Sequence, residues 1–374
     1  MNSPLFITED LPPREGEPLP CKMQIARLES CRVDYATPPE RPTAFFSLAG
    51  KTICTLGNIT ALYAQAKAGK TAVVGAMVAA VIAADADKAD SCDCLGITAA
   101  KPEGKLLIVF DTEQSSFDSW QAGNRAMRRA GVESMPTWVR TYTLTGWSAA
   151  EAREAVALAF KLNPTPFAVI IDGVADLAAD PNDPKECNPL VAELHEHAIK
   201  ANCPLVAVIH RNEGDQANST ARGHLGKQLM RKAESNVRIE CRDSISTLFA
   251  PLNRGGPIMQ KDGVSFAWSE EHQMHRTVER ISPRLAELQQ LAAEVLEGGK
   301  LLTWTELRNA IMAVRGLASK TAEKRIKALM DERQIRLVAG EKYAFGHEVT
   351  LYPRATLQLP SGRGITLYPP APST

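Results

Sequence analysis

The residues best placed to do chemistry lie in the run Ala64-Gln65-Ala66-Lys67-Ala68-Gly69-Lys70-Thr71. A short apolar run, Ile59–Tyr63, precedes it, and an apolar helix, Lys70–Ala84, is expected to follow. This is the A-x-x-x-x-G-K-T form of a phosphate-binding loop, with Ala64 where a first glycine is commoner. A tight turn between strand and helix points successive backbone N–H groups inward, and the helix N-terminus adds partial positive charge at the same spot. Lys70 would neutralise the β- and γ-phosphates of a bound nucleotide, and the Thr71 hydroxyl would complete a Mg²⁺ shell. Gly-Lys-Thr at a helix start can also be only a cap, so the context decides. Ala64 fits if it keeps a negative φ as the last residue of its strand.

Two further strand ends supply carboxylates. Phe167–Ile171 is a continuous apolar run ending in Asp172, about one hundred residues after the loop. A carboxylate there would sit beside the phosphate loop and hold Mg²⁺ directly or through water. Lys105–Phe110 reads as the strand after the first helix, and Glu113 follows it. Glu113 could polarise a water for in-line attack on the γ-phosphate. The alternative is an acid favoured simply by a nearby helix start. Asp111 competes for the same role, but strand alternation turns it to the other side. Cys203–Ile209 ends in His210, which could touch the γ-phosphate and report its loss to the polar loop Arg211–Ala221, or could merely be solvated.

Alternation of strands and helices is what would bring these ends together. Gly131 marks the stop of a helix over Ser116–Ala130, Ser148–Glu151 is a capping box, and Asn188-Pro189 reads as a helix start. Apolar strands separated by such helices imply βαβ units and a mostly parallel sheet covered on both faces, with ligands at its carboxyl edge. After residue 236 the pattern changes to antiparallel strands at Val237–Cys241, Ser246–Ala250, near Ile258 and at Val264–Trp268.

Composition narrows the class. A chain of 374 residues with ordinary apolar and charged fractions and zero net charge is long enough for one large domain plus a smaller one. No global field draws it onto nucleic acid, so any such binding needs local patches. Its eight cysteines are scattered, which suggests reduced thiols in a cytoplasmic protein. Cys92-Asp93-Cys94 lacks a second ligand pair at metal spacing and reads as a loop with two free thiols. The most apolar stretch, Thr71–Ala84, falls short of the roughly 20 residues a bilayer span requires, so no membrane partner is expected.

Together, the loop at 64–71, Asp-Thr-Glu-Gln at 111–114, Val-Ile-Ile-Asp at 169–172, Ile-His at 209–210 and Arg-Gly-His-Leu-Gly at 222–226 resemble the RecA-like ATPase family. The resemblance covers roughly 45–270. It is nearest to the ring-forming, RepA-like replicative helicases of plasmids and mobile elements and to related AAA-type ATPases. It implies an α/β, RecA-like P-loop NTPase with a mostly parallel central sheet, using ATP and Mg²⁺, with Glu113 as the base. It also implies a homo-oligomeric ring, such as a hexamer, acting on single-stranded or duplex DNA with replication-initiation partners. The loops Val174–Asn188 and Arg211–Gly226 would line a channel for DNA. The first is acidic (Asp176, Asp180, Asp183, Glu186, against Lys185), whereas the second offers Arg211 and Arg222, with Lys227 just beyond. Neither carries an aromatic for base stacking. A cation from the neighbouring subunit would complete each site, with Arg231, Lys232 and Arg254 as candidates.

The expected boundaries are an extended arm over 1–44, the core over 45–270, a linker over 271–282, a small winged helix-turn-helix-like domain over 283–346 and a Pro-rich, disordered tail over 347–374. In the small domain Thr303–Glu306 is a capping box and Ser319 the next N-cap. Lys320, Lys324 and Lys327 form one stripe of the second helix, placed to meet a DNA groove or simply solvated. Over 283–346, eleven Lys/Arg against eight Asp/Glu give a mild basic excess. Two other readings stand beside the helicase: a non-translocating ATP-dependent switch that binds DNA or a partner through 283–346, and an assembly protein that holds nucleotide structurally.

Overall fold

The computed structural model describes residues 22–38, 41–210, 223–279, 283–338, 340–345, 356–358 and 364–366. The chain divides into two units, Met1–Thr43 and Ala44–Thr374. In the first, expected as an extended arm, residues Lys22–Glu29 form the helix α1.

The second unit begins with a hairpin of β1 (Ala44–Leu48) and β2 (Lys51–Thr55). Its turn is at Ala49-Gly50, both at positive φ. Then β3 (Ile59–Ala64), entirely buried, leads into α2 (Lys70–Asp85). Strand β4 (Ile97–Ala99) pairs with β1 to close a three-stranded sheet in the order β2-β1-β4. Helix α2 is apolar on nearly every side because Leu48 and Ile97 of the small sheet and Leu62, Val206 and Val237 of the large sheet share its core.

Alternation continues with β5 (Leu107–Asp111), α3 (Ser116–Ala130), β6 (Val139–Thr143), α4 (Ala149–Leu162) and β7 (Ala168–Asp172). Gly131 stops α3 at φ 65°, and Ser148 and Glu151 exchange both bonds of the expected capping box. Next come α5 (Pro184–Ala201), β8 (Leu205–His210) and α6 (Gly223–Lys232). Strands β9 (Ser235–Arg242), β10 (Ile245–Asn253), β11 (Val264–Ser269) and β12 (Met274–Thr277) complete a nine-stranded sheet. Its order is β12-β11-β10-β9-β3-β8-β7-β5-β6. The six strands from β9 to β6 are mutually parallel, whereas β10, β11 and β12 add as antiparallel hairpin partners. The fold class read from the alternation is the one observed.

Three features of this sheet and its helices differ from expectation. Val237–Cys241 lies in β9, which is antiparallel only to β10 and parallel to β3, so it joins the two halves of the sheet. Within the expected linker, residues 274–277 form the edge strand β12, because Met274 is buried and the backbone pairs with β11. Helix α5 starts at Pro184, capped by the Asp183 side chain, rather than at Pro189. Asp-Pro offers the same start signal a turn earlier, and Pro189 in the second turn gives up one backbone bond.

Residues 283–345 have a core of their own. They comprise α7 (Pro283–Val295), β13 (Leu302–Thr303), α8 (Trp304–Arg315), α9 (Ser319–Asp331), β14 (Ile335–Val338) and β15 (Lys342–Phe345). Leu307, Ile311, Ile326 and Leu329 are fully buried between α8 and α9, at roughly 1.5–3 kcal/mol of burial each. Thr303 and Glu306 form the expected capping box. The N-cap of α9 is Ala318 with no side-chain bond; Ser319 is the first helical residue, not the cap. The three strands pair antiparallel in the order β13-β15-β14. Beyond them the tail contains a small antiparallel pair, β16 (Thr356–Gln358) with β17 (Gly364–Thr366), where its composition points to disorder.

Candidate functional site

Parallel pairing in register brings the polar strand ends to one edge. Ala64 lies opposite His210, and Asp111 opposite Asp172. Strand β8 sits between the loop-bearing β3 and the Asp172-bearing β7. Lys70, Glu113, Asp172 and His210 therefore converge from four strands.

Ala64 ends β3 outside the positive-φ region, as its place required. The turn is instead made at Lys67, φ 61°, and at Gly69, φ 92°, which is the N-cap of α2. Gln65, Ala66 and Lys67 are at least partly exposed, whereas Ala68 is buried and its carbonyl accepts a 3.0 Å bond from Ser246 Oγ on β10. A Cβ at Gly69 would lie 2.8 Å from the Phe266 ring, so both the backbone and the neighbour require glycine here.

Lys70 is 7% exposed, and its Nζ lies 2.6 Å from His210 Nε2 and 3.2 Å from Glu113 Oε2. Glu113 Oε1 is in turn 3.0 Å from His210 Nε2. The three form a closed triangle. Burial pushes the Glu113 carboxyl up, but the bond from His210 and the charge of Lys70 outweigh it, holding the group below the ordinary glutamate value. Glu113 is thus ionised and able to accept a proton near neutral pH.

Asp172 is 3% exposed, and its buried Oδ1 has no hydrogen-bond partner among the described residues. Burial first, and the Glu113 charge second, push its carboxyl up to about 7. A buried carboxylate oxygen without a donor is costly unless a cation or proton meets it. This donor set fits a hard divalent cation: a carboxylate on β7 and, at the start of α2, the Thr71 hydroxyl. Among the described residues no three His, Cys, Asp or Glu side chains converge as a closed cage.

Asp111 is buried, and its Oδ1 accepts from the N–H groups of Glu113 and Gln114. It shapes the turn that presents Glu113. One arrangement goes beyond the sequence reading. Thr112 Oγ1 lies 2.7 Å from Asp176 Oδ2 and 3.0 Å from the Gly173 carbonyl, tying the ends of β5 and β7 together. Gly173 has φ 101°, and a Cβ there would sit 2.0 Å from Thr112 Oγ1. Glycine directly after Asp172 is the one sequence signal of this tie.

Of the remaining candidates, Arg211 and Arg222 lie outside the described residues. Lys227, Arg231, Lys232 and Arg254 are exposed. Burial lowers the His195 pKa, and the charges of Lys232 and Arg254 lower it further, so those two cations share one region. The first expected channel loop is largely structured: Val174–Leu177 is a 3₁₀ turn and α5 begins at Pro184, leaving 178–183 between them. Its acids serve the local fold, Asp183 as a cap and Asp176 on Thr112. Lys320, Lys324 and Lys327 are all exposed along α9. The described cysteines are free thiols, and no helix of the described residues is long and apolar enough to cross a membrane.

No protein-family model matches the sequence, and no curated protein matches it. Among solved structures, the chain is similar to a RadB recombinase, with a TM-score of 0.41 and 12% identity over 62% of this chain and 95% of that one. At that distance the likeness informs neither substrate nor partner.

Proposed function

We propose that the chain is a Mg²⁺-dependent ATP hydrolase of the RecA-like kind. The observation that carries this is the meeting of Lys70, Glu113 and His210 in one triangle beside the unpartnered Oδ1 of Asp172. Backbone N–H groups of 65–71 would cradle the phosphates, and Thr71 and Asp172 would hold the cation. A bound Mg²⁺ would supply charge neutralisation to the phosphates. The protein's own part is positional. A γ-phosphate competes with Glu113 for the Lys70 ammonium, and Glu113, released from it, accepts the proton of the attacking water. His210 moves with Lys70 and passes the change to the chain that follows β8.

The task we assign is motor work on DNA as a ring, in the manner of a replicative helicase of a plasmid, phage or other mobile element. Residues 283–346 serve as a winged-helix-like DNA or partner module through the Lys320, Lys324 and Lys327 stripe. Lys232 and Arg254 are the preferred cations offered to a neighbouring subunit. A second reading, an ATP-dependent switch that does not translocate, is favoured by one observation: the first channel loop is reduced to 178–183 and has no aromatic. The deciding experiment measures ATP turnover with and without single-stranded DNA, alongside sedimentation with ATP and Mg²⁺. Stimulated turnover in a ring, lost in Lys70→Ala, supports the motor. Turnover in a monomer, unchanged by DNA, supports the switch, and absence of turnover refutes both.

A further inference from the structure

The loop after α2, the last turn of α3 and strand β12 border an open pocket of about 380 Å³, lined by Lys88, Cys92, Arg128, Arg129, Met274 and Arg276 among others. Lys70 opens α2 and the cavity lies beyond its other end; a 16-residue helix spans about 24 Å. Four cations line it against one carboxylate, Asp93, in a chain of zero net charge.

That carboxylate is already saturated. Asp93 accepts from Arg276 Nε at 2.7 Å, Thr277 Oγ1 at 2.6 Å, Thr277 N at 2.9 Å and Leu95 N at 3.2 Å. Burial raises its pKa, but the Thr277 bonds and the Arg129 charge outweigh that and keep it ionised. Arg129, 7% exposed, is fixed by the carbonyls of Asp93 and His275. Lys88 Nζ donates to the Gly131 carbonyl at 2.9 Å, and Arg128 to that of His272 at 3.3 Å. Carbonyls orient Lys88 and Arg128 without neutralising them; Arg129 lies 3.9 Å from the Asp93 carboxylate that it shares with Arg276, and Asp93 meets Arg276 through Nε, leaving the terminal fork of that guanidinium uncommitted to it. The C-terminal ends of α2 and α3 carry partial negative charge that cations there offset, but about half a charge per helix does not balance the set.

Pre-oriented guanidinium and ammonium groups around a small open cavity match multiply charged phosphate better than a single carboxylate. We infer that this cavity is a second anion site, separate from the loop at 64–71, that binds a phosphate-bearing ligand with at least two adjacent phosphate charges. A free polyphosphate or nucleotide and the backbone of a nucleic-acid strand share that chemistry. Binding here is independent of ATP hydrolysis at the first site.

Titration calorimetry with pyrophosphate on the full chain carrying Lys70→Ala tests it. One equivalent should bind, and Arg128→Gln or Lys88→Gln should each weaken binding roughly tenfold. Both side chains are exposed and bonded only to carbonyls, so their loss leaves the fold intact, as thermal unfolding will report. Arg276→Gln, which also frees Asp93, should weaken binding further. Competition by oligothymidylate would make the strand backbone the occupant, and its failure to compete would leave a free polyphosphate; either outcome supports the site. No binding, or binding unchanged in all three variants, overturns it.

Discussion

Asp172 offers the sharpest test because its buried oxygen has a thermodynamic consequence without any ligand. Its carboxyl rises from 3.8 to about 7 in the fold, so the folded protein holds this proton more tightly than the unfolded chain does. Stability from that proton is full below about pH 4, is lost as pH climbs toward 7, and levels off above it. A tenfold difference in proton affinity is worth about 1.36 kcal/mol, and roughly a hundredfold of the difference is lost between pH 5 and pH 8. Asp172→Asn cannot titrate. Relative to the parent, it should therefore gain roughly 2–3 kcal/mol of stability over that interval. Urea unfolding of both proteins at pH 5, 6, 7 and 8, without Mg²⁺ or nucleotide, reads this difference directly. A difference that stays constant with pH, or that moves the other way, refutes the claim that burial keeps this group protonated. With Mg²⁺ and a non-hydrolysable nucleotide at pH 7, the parent should release about half a proton per site and the variant none.

Glu113→Gln should lower ATP turnover by about 10²–10⁴-fold while nucleotide affinity is retained, checked by steady-state rates and a fluorescent analogue. Equal turnover would remove Glu113 from the base role. Gly69→Ala places a Cβ 2.8 Å from Phe266 at φ 92°, so it should cost about 1–3 kcal/mol and abolish nucleotide binding, as thermal shift and equilibrium binding would show. If neighbouring subunits complete each site, mixing Lys232→Ala or Arg254→Ala chains into wild-type should depress turnover more than in proportion to their fraction. Leu307→Ala should destabilise the C-terminal core by about 2–5 kcal/mol in urea unfolding while leaving the site at 64–71 able to bind nucleotide.

The sequence by itself determined the elements that local chemistry dictates. The run from Ala64 to Thr71, the boxes at Ser148 and Thr303, the stop at Gly131 and the apolar strands ending at Asp172 and His210 all depend on residues within one turn or one strand. Parallel βαβ order follows from their alternation, and with it the expectation that the polar ends share an edge. Only the tertiary structure decided the rest. Residues 274–277 look like charged linker because an edge strand draws its bonds from a neighbour, β11, rather than from its own pattern. The start of α5 is ambiguous in the sequence because Asp183-Pro184 and Asn188-Pro189 carry equal local signals, and the Asp183 cap is visible only in the fold. Register places Asp172 against Asp111 and leaves its Oδ1 without a donor, a property of burial that no spacing encodes. The cationic cavity likewise draws Lys88, Arg128 and Arg276 from three segments far apart in the chain, because packing, not spacing, sets which side chains share one volume.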